Sequence, residues 1–135
     1  MSEEVTVKSK EVYYRGKTLD ELKALDVREV AKYLNSRSKR TALRNFQQIE
    51  NFVKRCEKTL AGKKKIRTHL RDIVIVPRLV GMTIGIYTGK EYDDVIITYQ
   101  MIGHRLGEFA LTRKKVSHGE PGIGATKSSA GVQKK

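Results

Sequence analysis

Residues 38–61 read SKRTALRNFQQIENFVKRCEKTLA, and their spacing decides the fold. Ala42, Phe46, Ile49, Val53, Cys56 and Leu60 follow one another at intervals of 4, 3, 4, 3 and 4. At 3.6 residues per turn this is one apolar stripe, and it predicts a single helix from Ser38 to about Ala61. Gly62 stands where a C′ stop is expected. Arg37, Arg40, Arg44, Gln48, Asn51, Arg55 and Lys58 repeat at a similar spacing, and their mean direction lies roughly 160° from the stripe. One face of the helix is built to pack on protein, and the other to meet phosphates.

Downstream the period changes from 3.6 to 2. Ile73-Val74-Ile75-Val76 before Pro77 is expected to be a fully buried strand. Val80, Met82, Ile84 and Ile86 alternate with Gly81, Thr83, Gly85 and Tyr87, as in a half-buried strand. Gly89-Lys90 supplies a turn, and Tyr92 to Thr98 is the return strand of a hairpin. Thr98 can cap a short helical turn through Ile102. Upstream, Thr18 followed by Glu21 and Asp26 followed by Glu29 read as capping boxes opening two short helices. The expected fold class is α+β: a small, mostly antiparallel three-stranded sheet packed against helices, with an N-terminal helical extension and a flexible C-terminal tail. The expected divisions are an extension over 1–35, a globular domain over 36–116, and a Gly-rich basic tail over 117–135, which has neither apolar periodicity nor an aromatic residue.

The chain has 135 residues, 28 of them Lys or Arg and 15 Asp or Glu, for a formal charge of +13. The excess is concentrated. Residues 31–71 carry 13 basic and 2 acidic side chains, and residues 113–135 carry 6 and 1. Residues 1–30, with 6 and 7, and residues 72–112, with 3 and 5, are close to neutral. A near-neutral body carrying a basic segment and a basic tail implies a polyanionic partner. One cysteine excludes an internal disulfide and a multi-Cys zinc site, and suits a reducing cytosol. Cys56 lies on the apolar stripe and reads as an inert core residue. No apolar run approaches the roughly 20 residues that span a bilayer, and the N-terminus lacks the pattern of a signal peptide, so no membrane contact is expected.

Enzyme signatures are missing. Gly85-x-x-x-Gly89-Lys90 is one residue short of a P-loop, and Glu91 stands in place of its Ser or Thr. His104 and Glu108, four apart, could form an acid–base pair for RNA cleavage, but local packing or RNA contact accounts for them more simply. No catalytic residue, metal ligand or cofactor is assigned. The positive signals are basic. Lys63, Lys64, Lys65, Arg67, His69 and Arg71 enter a strand, and alternation projects Arg67, His69 and Arg71 to one side. Gly103-His104-Arg105-Leu106-Gly107 brackets a basic pair between glycines, whose N–H groups could reach phosphate oxygens. Phe109 reads as core in preference to a base-stacking ring. Arg113, Lys114 and Lys115 open the tail. Together with Arg37, Arg40 and Arg44 of the helix, these are the candidate RNA contacts.

Several motifs carry a resemblance in one unbroken order. They are Thr68-His69-Leu70-Arg71-Asp72, then Pro77, Val80-Gly81 and Tyr87-x-Gly89-Lys90, then Met101-Ile102-Gly103-His104-x-Leu106-Gly107-Glu108-Phe109 with Thr112-Arg113, then His118-Gly119-x-Pro121-Gly122-Ile123-Gly124-Ala125-Thr126-x-Ser128-Ser129. The chain resembles the universal small-subunit ribosomal protein family called S-nineteen in bacteria. The His118 block and Tyr14-Arg15-Gly16-x-x-Leu19-Asp20 resemble its archaeal and eukaryotic branch, and the short basic ending suggests archaea. The resemblance implies a structural, non-enzymatic role in the cytoplasmic ribosome and a small mixed sheet packed with helices. It also implies binding to small-subunit rRNA in the subunit head, beside the S-thirteen family protein and near the face that bridges to the large subunit. The tail would run toward the decoding region and tRNA. Carried over, the RNA contacts fall on Arg67, His69, Arg71, Gly103, His104, Arg105, Gly107, Arg113, Lys114, Lys115 and His118. Arg105 and Lys114 stand where related sequences vary. The basic face of residues 38–61 is read from the residues and not from the family.

Overall fold

The computed structural model describes residues 13–116, together with residues 122, 127, 128 and 131. The rest of the expected tail, including His118, and residues 1–12 lie outside the described residues. The chain opens with a two-stranded hairpin, β1 (Tyr13–Tyr14) and β2 (Lys17–Thr18). Its turn puts Arg15 and Gly16 at φ 49° and 82°, the positive pair that matches strand twist in a tight hairpin. Thr18 then caps α1 (Leu19–Ala24), its hydroxyl accepting the Glu21 N–H at 3.4 Å. Asp26 opens α2 (Val27–Val30), its own N–H donating to the Glu29 carboxylate at 3.4 Å. Both expected helix starts are where the capping pattern put them.

The 38–61 stripe is not one helix. It is divided into α3 (Ser36–Arg44) and α4 (Phe46–Ala61) at Asn45, which has φ −109° and ψ 25°. Asn45 closes α3 through its N–H to Thr41 and opens α4 by accepting from Ile49. Asn competes with the helix for backbone hydrogen bonds and is a weak interior residue, so the axis breaks there. The stripe survives the break. Ala42, Ile49, Val53 and Cys56 are buried, while Leu60 at the far end is 44% exposed. Phe46 is half-buried, with the Arg28 guanidinium 3.8 Å above its ring. Gly62 is the C-cap, but the left-handed C′ position falls to Lys63, at φ 53°. Lys63 and Lys64 donate to the Leu60 and Thr59 carbonyls, completing a Schellman motif without a glycine at its centre.

The larger sheet has the order β3 (Ile66–Thr68), β4 (Thr83–Tyr87), β5 (Tyr92–Ile96). The β4–β5 hairpin is antiparallel, as expected, with Tyr87 opposite Tyr92. The third strand differs from expectation in identity and in sense. It is Ile66–Thr68, and it pairs parallel to β4. The sheet is therefore mixed, and residues 69–82 form the dozen-plus-residue crossover that a parallel pair needs. Ile73, Val74, Ile75 and Val76 lie inside that crossover. They are buried, as expected, but they do not join the sheet. Their backbone partners are in the 103–106 loop: Ile75 N–H to His104 carbonyl, Gly103 N–H to Ile75 carbonyl, and Leu106 N–H to Ile73 carbonyl, at 2.8 to 3.1 Å. An apolar run demands burial and satisfied peptide groups, and a loop met both demands here.

One core unites these parts. Val27, Val30, Ala31 and Leu34 pack in the same cluster as Phe52 and Ile49 of α4, Ile84 and Ile86 of β4, and Ile73–Val76. Each fully buried side chain of this size contributes about 1.5–3 kcal/mol.

Candidate nucleic-acid interface

The helix α3 begins at Asn35, whose side chain accepts the Ser38 N–H at 2.9 Å. The buried Ser38 hydroxyl donates to the Gly103 carbonyl at 2.5 Å and seats the helix on the 103–109 loop. Arg37, Arg40 and Arg44 remain exposed on the outer side of α3. Arg105 leans on the same helix. Its guanidinium donates to the Thr41 hydroxyl and the Asp72 carboxylate, each at 3.3 Å. The loop is thus held against the helix that displays Arg37, Arg40 and Arg44.

His104 and Glu108 meet at 2.7 Å, both about half exposed. Glu108 has a second task, accepting the Arg105 N–H at 3.2 Å. Partial burial pushes the Glu108 carboxyl upward. The Arg105 N–H and the His104 ring outweigh that push and hold it below the usual carboxylate range. Both Glu108 oxygens brace the loop, and the His104 ring sets its edge against Phe109, 5.9 Å between centroids. The pair therefore braces the loop from both sides.

The loop glycines differ from expectation. Their N–H groups are not free for phosphate: Gly103 donates to Ile75 and Gly107 to Arg71. Each glycine answers a spatial need. Gly103 has φ 85°, and a side chain at Gly107 would stand 3.0 Å from Arg71 Cβ and 3.2 Å from its carbonyl.

Arg71 also leaves the expected row. Its guanidinium turns inward and donates to the main-chain carbonyls of Tyr87 at 2.6 Å, Gly107 at 2.9 Å, and Ala110. A planar fork of five donors suits three convergent carbonyls, and those bonds commit its donors to the protein's own backbone.

Arg67 and His69 do project outward together, from β3 and the residues after it. Two tyrosines that sequence reasoning passed over join them. His69 packs on Tyr87 with 4.3 Å between ring centroids, and its Nε2 meets the Tyr92 hydroxyl at 2.7 Å. The Arg67 guanidinium lies 5.2 Å from the Tyr92 ring centroid. The signal was the two-residue period itself, since Gly85–Tyr87 and Asp94–Tyr92 occupy the strand face that Arg67 occupies.

The remaining candidates are exposed lysines and one arginine. Lys65 pairs with Asp94 at 3.7 Å, while Lys63 and Lys64 are exposed at the end of α4. Lys114 pairs with Glu91 at 2.8 Å, which lowers the carboxyl pKa and raises that of the ammonium. Arg113 and Lys115 are exposed. Among the described residues no three His, Cys, Asp or Glu side chains converge as metal ligands, and no helix is long and apolar enough to cross a membrane.

The profile of the family described as Ribosomal protein S19 matches residues 35–118, which include α3, the sheet and the 103–109 loop. The small ribosomal subunit protein uS19 of Methanocella arvoryzae is 48% identical over 126 residues, 90% of this chain and 86% of that protein. That of Picrophilus torridus is 44% identical over 125 residues, covering 93% and 82%. That of Saccharolobus solfataricus is 41% identical over 133 residues, covering 96% and 95%.

Proposed function

The chain belongs to the ribosomal protein S19 family, in its archaeal branch, and on that premise we propose that it is an rRNA clamp in the head of the small ribosomal subunit. The family consists of structural constituents of the ribosome, not enzymes. The observation that carries the proposal is the seating of α3 on the 103–109 loop, which gathers Arg37, Arg40, Arg44, His104 and Arg105 into one cationic surface.

The mechanism follows from charge and shape. Exposed guanidinium and ammonium groups neutralise phosphates and release the condensed counterions. The rigid body beneath them fixes which phosphates can be met at once. A-form helices hide base edges in a deep groove, so recognition along paired RNA rests on backbone and shape. Lys63–Lys65, Arg67, Arg113, Lys114 and Lys115 extend the contact surface, and His118 with the basic tail carries it onward. Beside the S-thirteen family protein, with the large-subunit bridge elements nearby, the tail would reach toward the decoding region and tRNA. The carboxylates paired with Lys65, Arg105 and Lys114 hold those cations in place until phosphate replaces them.

Two measurements test this reading. The protein should co-sediment with small subunits through a high-salt wash, and crosslinking in intact subunits should join α3 and the 103–109 loop to rRNA. Absence from washed subunits, or crosslinks from those elements only to protein, would overturn it.

A further inference from the structure

The outward face of the β3–β4–β5 sheet carries an aromatic cluster that phosphate binding does not explain. The parallel register sets Arg67 opposite Gly85, and the antiparallel register sets Tyr87 opposite Tyr92. Two-residue alternation then brings Arg67, His69, Tyr87 and Tyr92 to one side of the sheet. Three rings pack within 4.3 to 5.6 Å of one another, tilted or edge-on, and the Arg67 guanidinium lies 5.2 Å from the Tyr92 ring centroid. The hydroxyls are tied back, Tyr92 to His69 Nε2 and Tyr87 to the Gly89 carbonyl, each at 2.7 Å, so the rings are held in place before any partner arrives. Arg67 and His69 are exposed, and the two tyrosines are half-buried.

A sheet presenting fixed rings beside a guanidinium is the arrangement on which unstacked nucleobases pack. Paired RNA keeps its bases inside the helix and cannot use it. We propose, resting on the rRNA-binding reading above, that this face holds an unpaired nucleobase of the RNA, stacked on the His69–Tyr92 cluster, with Arg67 against the base or its phosphate. Local charge favours RNA over a protein partner of mixed polarity. Lys65 and Arg67 stand on this face with Asp94, and Lys114 answers Glu91 at its end, leaving one cation uncompensated.

The test uses the full chain and two RNA hairpins of the same stem, one fully paired and one carrying a single bulged adenosine. The chain has six tyrosines and no tryptophan, and two of them are in the cluster, so the part of any tyrosine quenching that Tyr92→Phe removes reports contact at this face. The bulged hairpin should bind more tightly and quench that emission. Tyr92→Ala should weaken its binding by roughly fivefold to a hundredfold while leaving the paired hairpin within about twofold, and His69→Ala should weaken the bulged hairpin more than the paired one. Tyr92→Phe, which keeps the ring, should retain most of the affinity. Equal binding of both hairpins by the native chain, or equal losses on both with the alanine variants, would overturn the proposal. If an alanine variant does not melt cooperatively, photocrosslinking of native protein in intact subunits decides: nucleotide adducts on His69 or Tyr92 support the proposal, and protein adducts or none overturn it. A chain that sediments with subunits but carries no such adduct sinks only this inference, whereas a chain absent from them sinks the rRNA reading.

Discussion

Arg71 and Gly107 hold each other twice: the Gly107 N–H donates to the Arg71 carbonyl at 2.9 Å, and the Arg71 guanidinium donates to the Gly107 carbonyl at 2.9 Å. The same guanidinium reaches Tyr87 on β4 and Ala110 beyond the loop. One side chain thus ties the sheet, the crossover and the 103–109 loop together. It fixes the loop that displays two of the five basic residues of the proposed surface, His104 and Arg105.

Removing that tie should cost stability before it costs RNA contacts. Arg71→Ala leaves three carbonyls without their donor and should destabilise the protein by about 2–4 kcal/mol. Gly107→Ala forces a Cβ against Arg71 and should cost about 1–3 kcal/mol. Arg67→Ala, whose side chain is exposed, should stay within about 0.5 kcal/mol of the parent. Urea unfolding of the free protein checks all three. A stable Arg71→Ala protein would mean that the inward fork is not structural.

Lys63 occupies a backbone conformation that favours glycine. Lys63→Gly relieves a left-handed strain of roughly 1–2 kcal/mol and loses part of that gain to chain entropy. A net stabilisation of about 0.5–1 kcal/mol is expected, read as a higher urea midpoint. Affinity for RNA should fall at the same time, because one cation is gone.

Cys56 is buried, which pushes its thiol up to about 11, with Arg55 opposing and Glu57 adding to the shift. The folded state favours the neutral thiol. That contribution is complete below the unfolded pKa, near 8.5, and is lost as pH rises from there toward 11. Alkylation at pH 8 should be slow in the native protein and fast in urea. Rapid native labelling would show that the apolar stripe opens readily.

Glu108 works in the opposite direction. Its folded pKa is below the ordinary value, so its contribution is present above the unfolded pKa and disappears as pH falls through the folded one. Stability should therefore decline below about pH 4.3. Glu108→Gln should flatten that decline and loosen the His104–Arg105 loop. Urea midpoints between pH 3 and 6 measure the slope for both proteins.

Arg40 and Arg44 stand free on α3. Replacing both with Gln should leave the fold unchanged and reduce the dependence of log affinity on log salt by at most about 0.9 per lost phosphate contact. Filter binding to small-subunit rRNA over a salt series gives the slope. An unchanged slope would remove this helix from the interface.

The local statements made from sequence held where a local pattern decides the outcome. Ala42, Ile49, Val53 and Cys56 face the core because a 3.6-residue period has one side. Ile73–Val76 is buried because four consecutive apolar residues have nowhere else to go. The β4–β5 hairpin formed because Gly89-Lys90 lies between two strand patterns. The α+β class and the cationic outer face of α3 follow from the same local rules.

What remained depended on groups far apart in the chain. Whether β4 takes Ile66–Thr68 or Ile73–Val76 as its neighbour depends on which peptide groups the 103–106 loop already occupies. Whether Arg71 faces RNA or protein depends on three carbonyls 16 to 39 residues away. Periodicity records which side of an element is apolar, and it carries no record of which distant donor meets which acceptor. Hydrogen-bond partners are settled only when the chain closes on itself, and here that closure sorted the basic residues into those that brace the fold and those left facing outward.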